Sequence, residues 1–248
     1  MKIALTADIH GNLPALEAVL EHARLEGARA IWCLGDFVGY GPFPEEVVQH
    51  IQQEYVLSTI GEFDRRVLHF KRRRDKWRRS KSMEEYLALE WAYERLSKVS
   101  RKYLRFLSRE MRLTLRYKRV LLSHDTPDLA SEPLILQSSD EDLRQLAVDA
   151  QADLIGVGHS HQAFARFVEG VWFVNPGSVG LPMDGDPRAS YATLEFGPES
   201  IEVQHYRVDY DVERVLAALR QHDLPSSYDR LFADGLDLET ILTAEGPA

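Results

Sequence analysis

Three short apolar runs, each closing on a glycine or an acid, set the architecture open to this chain. They are KIALTAD (2–8), AIWCLGD (30–36) and YVLSTIG (55–61), and between them apolar residues recur with helical spacing, as at Leu13, Leu16, Val19, Leu20 and Ala23. Neither a short strand nor an amphipathic helix buries its apolar face alone, so this alternation makes a sheet covered by helices. With 44% hydrophobic residues over 248 positions, the chain can bury the larger part of its surface.

The second half keeps strands but changes how they connect. LTLRYKRVLLSH (113–124) and DLIGVGH (153–159) are expected as strands around a helix near 139–150, and AFARFVEGVWFVNPG (163–177) as a hairpin turning at Glu169 and Gly170. YATLEFG (191–197) and SIEVQHYRV (200–208) form a further strand pair. Ser82 and Glu85 have the spacing of a capping box for a helix through about Leu96, and a second helical pattern runs from about Arg101 to Arg109. No repeat, low-complexity linker or composition break divides the chain. We expect a single domain over 1–248, with a basic helical insert at about 65–110 and a helical, loosely patterned tail at about 209–248.

Charge is unevenly placed. Residues 65–81 hold ten Lys or Arg against one acid, Asp75, a local +9 in a chain of net −9, so the remainder carries −18. An acidic body with one basic stretch is not a general nucleic-acid binder, but the stretch can hold an anion locally. Arg65 and Arg66 are placed to clamp a phosphate with paired hydrogen bonds, whereas the charges of 71–81 read as a solvated face, with Phe70 and Trp77 at helical spacing toward a core. No apolar stretch reaches the roughly 18 residues of a membrane span. The amino terminus enters a strand pattern at Lys2 with no signal-peptide pattern, so a cytoplasmic protein without a membrane partner is expected. The single Cys33 lies in an apolar run, which suits core packing in a reducing compartment.

The chemistry-bearing residues fall where strands run out. Asp8 and His10 follow the first strand, Asp36 ends the second, Glu62 and Asp64 follow the third, His124 ends a later one, and His159 and His161 follow another. Ligand sites of sheets built this way form at the carboxyl ends of strands, so residues distant in sequence can converge there. Imidazole and carboxylate together suit Mn, Fe, Zn or Ni, and an aspartate can bridge two such ions roughly 3.5–4 Å apart. Gly11, Gly35, Gly61 and Gly158 would let the backbone turn tightly beneath them. Cysteine is absent from the set, which excludes a structural zinc knuckle.

DIHGN (8–12), GDFVGYGP (35–42), SHDTP (123–127), GHSH (158–161) and NPGSVG (175–180) resemble, in order and spacing, the motifs of the calcineurin-like metallophosphoesterases, most closely their compact bacterial and archaeal phosphodiesterase branch. The likeness spans residues 2 to about 197. It implies an α/β fold, a four-layer αββα sandwich of two mixed sheets flanked by helices, with two divalent metal ions at the strand ends. Carried over by position, one ion would be held by Asp8, His10, Asp36 and His161, the other by Asp36, Glu62, His124 and His159. A hydroxide between the ions would attack phosphorus in line. The implied substrate is a small phosphate ester or nucleotide, with nucleic acid less favoured.

One motif departs from the family. The family usually reads GNHD where this chain reads GEFD (61–64): Glu62 stands at a metal-ligand position, Phe63 at that of the histidine that protonates the leaving group, and Asp64 at that of the aspartate that orients this histidine. An added carboxylate makes the centre less positive. A missing general acid, generally worth about 10²- to 10⁴-fold, weighs most on alkoxide leaving groups and least on aryl or pyrophosphate-type ones. Asn12 either supports the site or caps a helix. Asp36, Asp64, Asn12 and Arg65 are the candidate catalytic residues. The resulting expectation is a phosphodiesterase or phosphoanhydride hydrolase; a non-catalytic metal- or nucleotide-binding regulator and a nuclease using the basic insert are the alternatives.

Overall fold

The computed structural model describes residues 1–127 and 134–245; positions 246–248 of the expected tail lie outside it. In chain order the elements are β1 (Lys2–Thr6), α1 (Leu13–Leu25), β2 (Ala30–Cys33), α2 (Pro44–Gln53), β3 (Leu57–Ser58), α3 (Glu62–Ser80), α4 (Met83–Arg95), α5 (Lys98–Phe106), β4 (Glu110–Leu115) and β5 (Lys118–Ser123). There follow α6 (Asp140–Ala150), β6 (Leu154–Gly156), β7 (Phe164–Val168), β8 (Val171–Asn175), β9 (Ala189–Phe196), β10 (Ile201–Val208), α7 (Val212–Gln221), α8 (Ser227–Asp234) and α9 (Leu238–Glu245).

The strands make two mixed five-stranded sheets, ordered β10-β9-β1-β2-β3 and β4-β5-β6-β8-β7. In the first, β1, β2 and β3 are parallel and β9 runs against β1; in the second, β5, β6 and β8 are parallel. Side chains alternate across a strand, and here the alternation builds the layers. Ile3, Leu5, Val120, Leu122, Leu154 and Val174 meet between the sheets, while the intervening Ala4 faces the helices of the first sheet and Leu121, Ile155 and Phe173 face α6 behind the second. The result is the four-layer sandwich expected from the motifs.

The stretch 113–124 differs from expectation. It is a hairpin, β4 paired antiparallel with β5, and not one strand. The turn residues Arg116 and Tyr117 both have positive φ, 48° and 66°. Two-residue hairpins need that conformation and usually supply it with Asn-Gly; here bulky residues adopt it, so the turn leaves no glycine to read. The expected capping box at Ser82 forms by half. Ser82 Oγ accepts from Glu85 N at 3.1 Å, but the Glu85 carboxylate binds Arg66 and Lys81 instead of reaching back.

Candidate metal centre

Four loops build the site, and each leaves the carboxyl end of a strand in a parallel pair: β1 and β2 from one sheet, β5 and β6 from the other. Asp8, His10, Asp36, His124 and His161 are at most 5% exposed. His124 Nε2 lies 3.2 Å from Asp36 Oδ2 and 3.8 Å from Asp8 Oδ1, His161 Nε2 3.5 Å from Asp8 Oδ1, and His10 Nε2 3.8 Å from Asp36 Oδ2. The two imidazoles from opposite sheets approach within 3.2 Å, Nε2 to Nε2. Asp8, His10 and His161 offer ligand atoms within 4.8 Å of one another, and so do Asp8, Asp36 and His124.

The backbone is bent to make this possible. Asp8, His10, Asp36, His159 and His161 all have left-handed φ, between 47° and 68°. A non-glycine residue pays roughly 1–2 kcal/mol for that conformation, so neighbouring structure has to hold it. The amides of Asp8, Ile9, His10 and Gly11 donate to the carbonyls of Gly35, Asp36, Asp36 and Phe37, lacing the two loops together. The NPGSVG segment closes the other side: Ser178 Oγ donates to Asp8 O at 2.6 Å, Gly180 N donates to the same carbonyl, and Asn175 Nδ2 donates to Gly158 O at 2.8 Å. Two glycines are required by contact. A Cβ at Gly61 would stand 2.1 Å from Asp36 Oδ1, and one at Gly180 would stand 1.8 Å from Ile9 O.

The hydrogen bonds of the imidazoles decide which nitrogen faces inward. His124 Nδ1 contacts Leu34 O at 2.9 Å and His161 Nδ1 contacts Leu181 O at 2.5 Å. A carbonyl only accepts, so both Nδ1 atoms carry protons and both Nε2 atoms point into the cluster, the arrangement by which outer partners orient metal-binding histidines. Asp8 Oδ1 and His124 Nε2 are buried without a hydrogen bond. Atoms of this kind are costly to bury unless something else engages them, and a divalent cation fits the need. Burial pulls the His10 pKa down to about 3, which keeps it a neutral lone-pair donor. Burial would lower His124 too, but Asp36 and Asp8 outweigh it and lift the pKa to about 10. The carboxylates thus demand positive charge among them.

The rim is organised differently. His159 is half exposed, and its Nδ1 lies 3.8 Å from both Glu62 Oε2 and Asp125 Oδ1. His124, Asp125 and His159 offer ligand atoms within 4.8 Å of one another; Glu62 falls in none of these groups. Its Oε1 accepts from Arg66 at 2.6 Å instead. Arg65, expected as a phosphate clamp, has its guanidinium on Asp125 at 2.6 Å. Phe63 is 6% exposed and packs its ring edgewise to His10 and against Tyr40, at 5.5 and 5.1 Å between centroids.

Asp64 and Asn12 touch backbone. Asp64 accepts from the amides of Asp36, Phe37, Val38 and Gly61 at 3.0–3.3 Å and so holds the Asp36 loop onto the start of α3. Burial and then the Asp36 charge push its pKa up to about 7, while those four donors favour the ionised form. Asn12 caps α1 through Ala15 N and donates to Gly180 O at 2.9 Å. Sequence reasoning missed Asp125, Asn175 and Ser178 as site residues. Asp125 stands beside His124 within a quoted motif, and that adjacency was the available signal.

The family model of the calcineurin-like phosphoesterase superfamily domain matches residues 1–199. The chain belongs to that superfamily. Among relatives of this phosphoesterase, an uncharacterised protein of Methanocaldococcus jannaschii is 33% identical over 93% of this chain and 97% of its own. The phosphodiesterase YfcE of Escherichia coli is 29% identical over 79% of this chain and 88% of its own. A crystal structure of a metallophosphoesterase from Sphaerobacter thermophilus superposes with TM-score 0.72 at 30% identity, covering 95% of this chain and 99% of that one. A hypothetical protein from Pyrococcus horikoshii shares the fold at TM-score 0.82 and 21% identity. The chain is therefore a metal-dependent phosphoesterase of this superfamily, and among its described residues no helix is long and apolar enough to cross a membrane.

Proposed function

We propose that the chain hydrolyses a phosphodiester or a nucleotide-like phosphoanhydride at a centre of two divalent ions. The observation that carries this is the buried convergence of Asp8, Asp36, His124 and His161, with Asp8 Oδ1 and His124 Nε2 left without a hydrogen bond inside the cluster. Asp8, His10, Asp36 and His161 would hold one ion. Asp36, His124, His159 and Asp125 would hold the other, with Glu62 kept by Arg66. When bound, such ions supply a hydroxide nucleophile and neutralise charge on the phosphoryl group during in-line displacement.

The protein residues contribute position. Leu34 O and Leu181 O fix the inward nitrogens of His124 and His161. Asp64 fixes the Asp36 loop, and Asn12 and Ser178 fix the Asp8 loop through Gly180 and the Asp8 carbonyl. Phe63 holds the face of His10 and can move no proton, so the leaving group departs unprotonated from that position. Aryl and phosphoanhydride leaving groups tolerate this better than alkoxides.

Metal analysis joined to hydrolysis of bis(p-nitrophenyl) phosphate tests the reading. Two ions per chain and turnover of the aryl diester are expected. Metal retained without hydrolysis of any ester would replace it with a ligand-holding protein. Phe63→His should raise turnover on alkyl esters more than on aryl esters; equal gains would remove the leaving-group argument.

A further inference from the structure

The basic stretch is not evenly solvated. α3 carries Glu62, Arg65, Arg66, His69, Arg73, Lys76 and Trp77 along one face, since offsets of 3, 4, 7, 11, 14 and 15 from Glu62 follow the helical period. These residues and Arg109 line a groove of ≈ 610 Å³. One end is Glu62, at the rim of the metal centre; the other, 15 residues along the helix, is about 22 Å away and ends at Trp77. The groove thus reaches the rim of the metal centre at Glu62 and is much longer than a single phosphate.

Its charges divide into two kinds. Arg65 and Arg66 are neutralised by Asp125, Glu62 and Glu85. Arg73, Lys76 and Arg109 pair with no carboxylate among the described residues, although nearby Arg74 and Lys81 do. Three cations left without acids in a chain of net −9 make a local attraction for anions within a repelling body. The size is that of a small-molecule cleft, and the acidic remainder disfavours a long polyanion lying across the surface.

We propose that this groove binds the distal phosphates of a substrate carrying a polyphosphate chain, so that Arg73, Lys76 and Arg109 grip the chain while the scissile phosphate lies at the metal centre. This rests on the phosphoesterase reading for the position of the scissile group, but the anion site itself does not need the metals. Arg73, Lys76 and Arg109 then determine specificity without taking part in the chemistry.

Titration calorimetry on the full metal-free chain tests it with inorganic tripolyphosphate, orthophosphate and a twelve-nucleotide oligothymidylate as probes. Tripolyphosphate should bind at least tenfold more tightly than orthophosphate. The R73A/K76A variant should lose tenfold or more of the tripolyphosphate affinity and less than threefold of the orthophosphate affinity, and the charge-keeping R73K/K76R variant should recover most of it. Equal affinities for the two phosphates, or an unchanged affinity in R73A/K76A, would overturn the proposal. Oligothymidylate binding more tightly than tripolyphosphate would also overturn it, in favour of a nucleic-acid groove. Tripolyphosphate binding as expected in a protein that hydrolyses no ester would leave the groove standing and remove the proposed reaction instead.

Discussion

The buried and the rim halves of the metal centre are built on different principles. Asp8, His10, Asp36, His124 and His161 are almost sealed from solvent, and hydrogen bonds to backbone fix their loops and ring orientations. Glu62, Asp125 and His159 are a third to a half exposed; arginines hold the two carboxylates, which in turn stand 3.8 Å from His159, and side-chain motion or a ligand can exchange these pairs. The fold thus fixes the side chains of the buried half in advance, while those of the rim half are set by a competition among ion pairs.

Breaking the shared carboxylate should cost most. Asp36→Ala removes the residue that approaches both halves, and turnover of bis(p-nitrophenyl) phosphate should fall by at least about 10³-fold of the 10⁶-fold or more that enzymes supply; metal analysis should find the chain largely empty. Two ions retained would show that the halves do not share Asp36. Asp64→Ala tests the preformed half by stability. It leaves four buried amides without an acceptor, and urea unfolding should show a loss of about 3 kcal/mol or more, whereas a loss under about 1 kcal/mol would mean that the Asp36 loop holds itself.

The rim should respond more gently. Asp125→Asn should weaken the second ion by at least about tenfold, the lower range for disturbed metal sites, and Glu62→Gln by less than about threefold, both read by metal titration monitored calorimetrically. The reverse ranking would return the ligand role to Glu62. The last effect is the most specific, because its sign is opposite. Arg66→Ala frees Glu62 from a partly exposed ion pair worth about 0.2–1 kcal/mol, so the second ion should tighten by about fivefold at most. No change at all would mean that the pair does not compete with metal.

Much of the fold was legible because its signals are local. The hairpin at Glu169 and Gly170 has a glycine to announce it, and it forms as β7 and β8. Its counterpart at Arg116 and Tyr117 has none, and two strands read as one. Glu62 shows what spacing along the chain leaves open at the site. Its position in the motif is that of a metal ligand in the family; α3 begins at that residue, and the helix puts Arg66 one turn along the same face, 2.6 Å from the carboxylate.

The order of acids and imidazoles along the chain determined, before any fold was seen, which strand ends carry the chemistry and which superfamily the pattern resembles. Only tertiary structure decided that Asp125 stands in the rim cluster, that Asp64 serves the backbone, and that Arg73, Lys76 and Arg109 share one groove. The reason is physical: strand-end positions follow from periodicity along the chain, whereas carboxylates and guanidiniums choose partners by distance in space, and those distances depend on two sheets meeting.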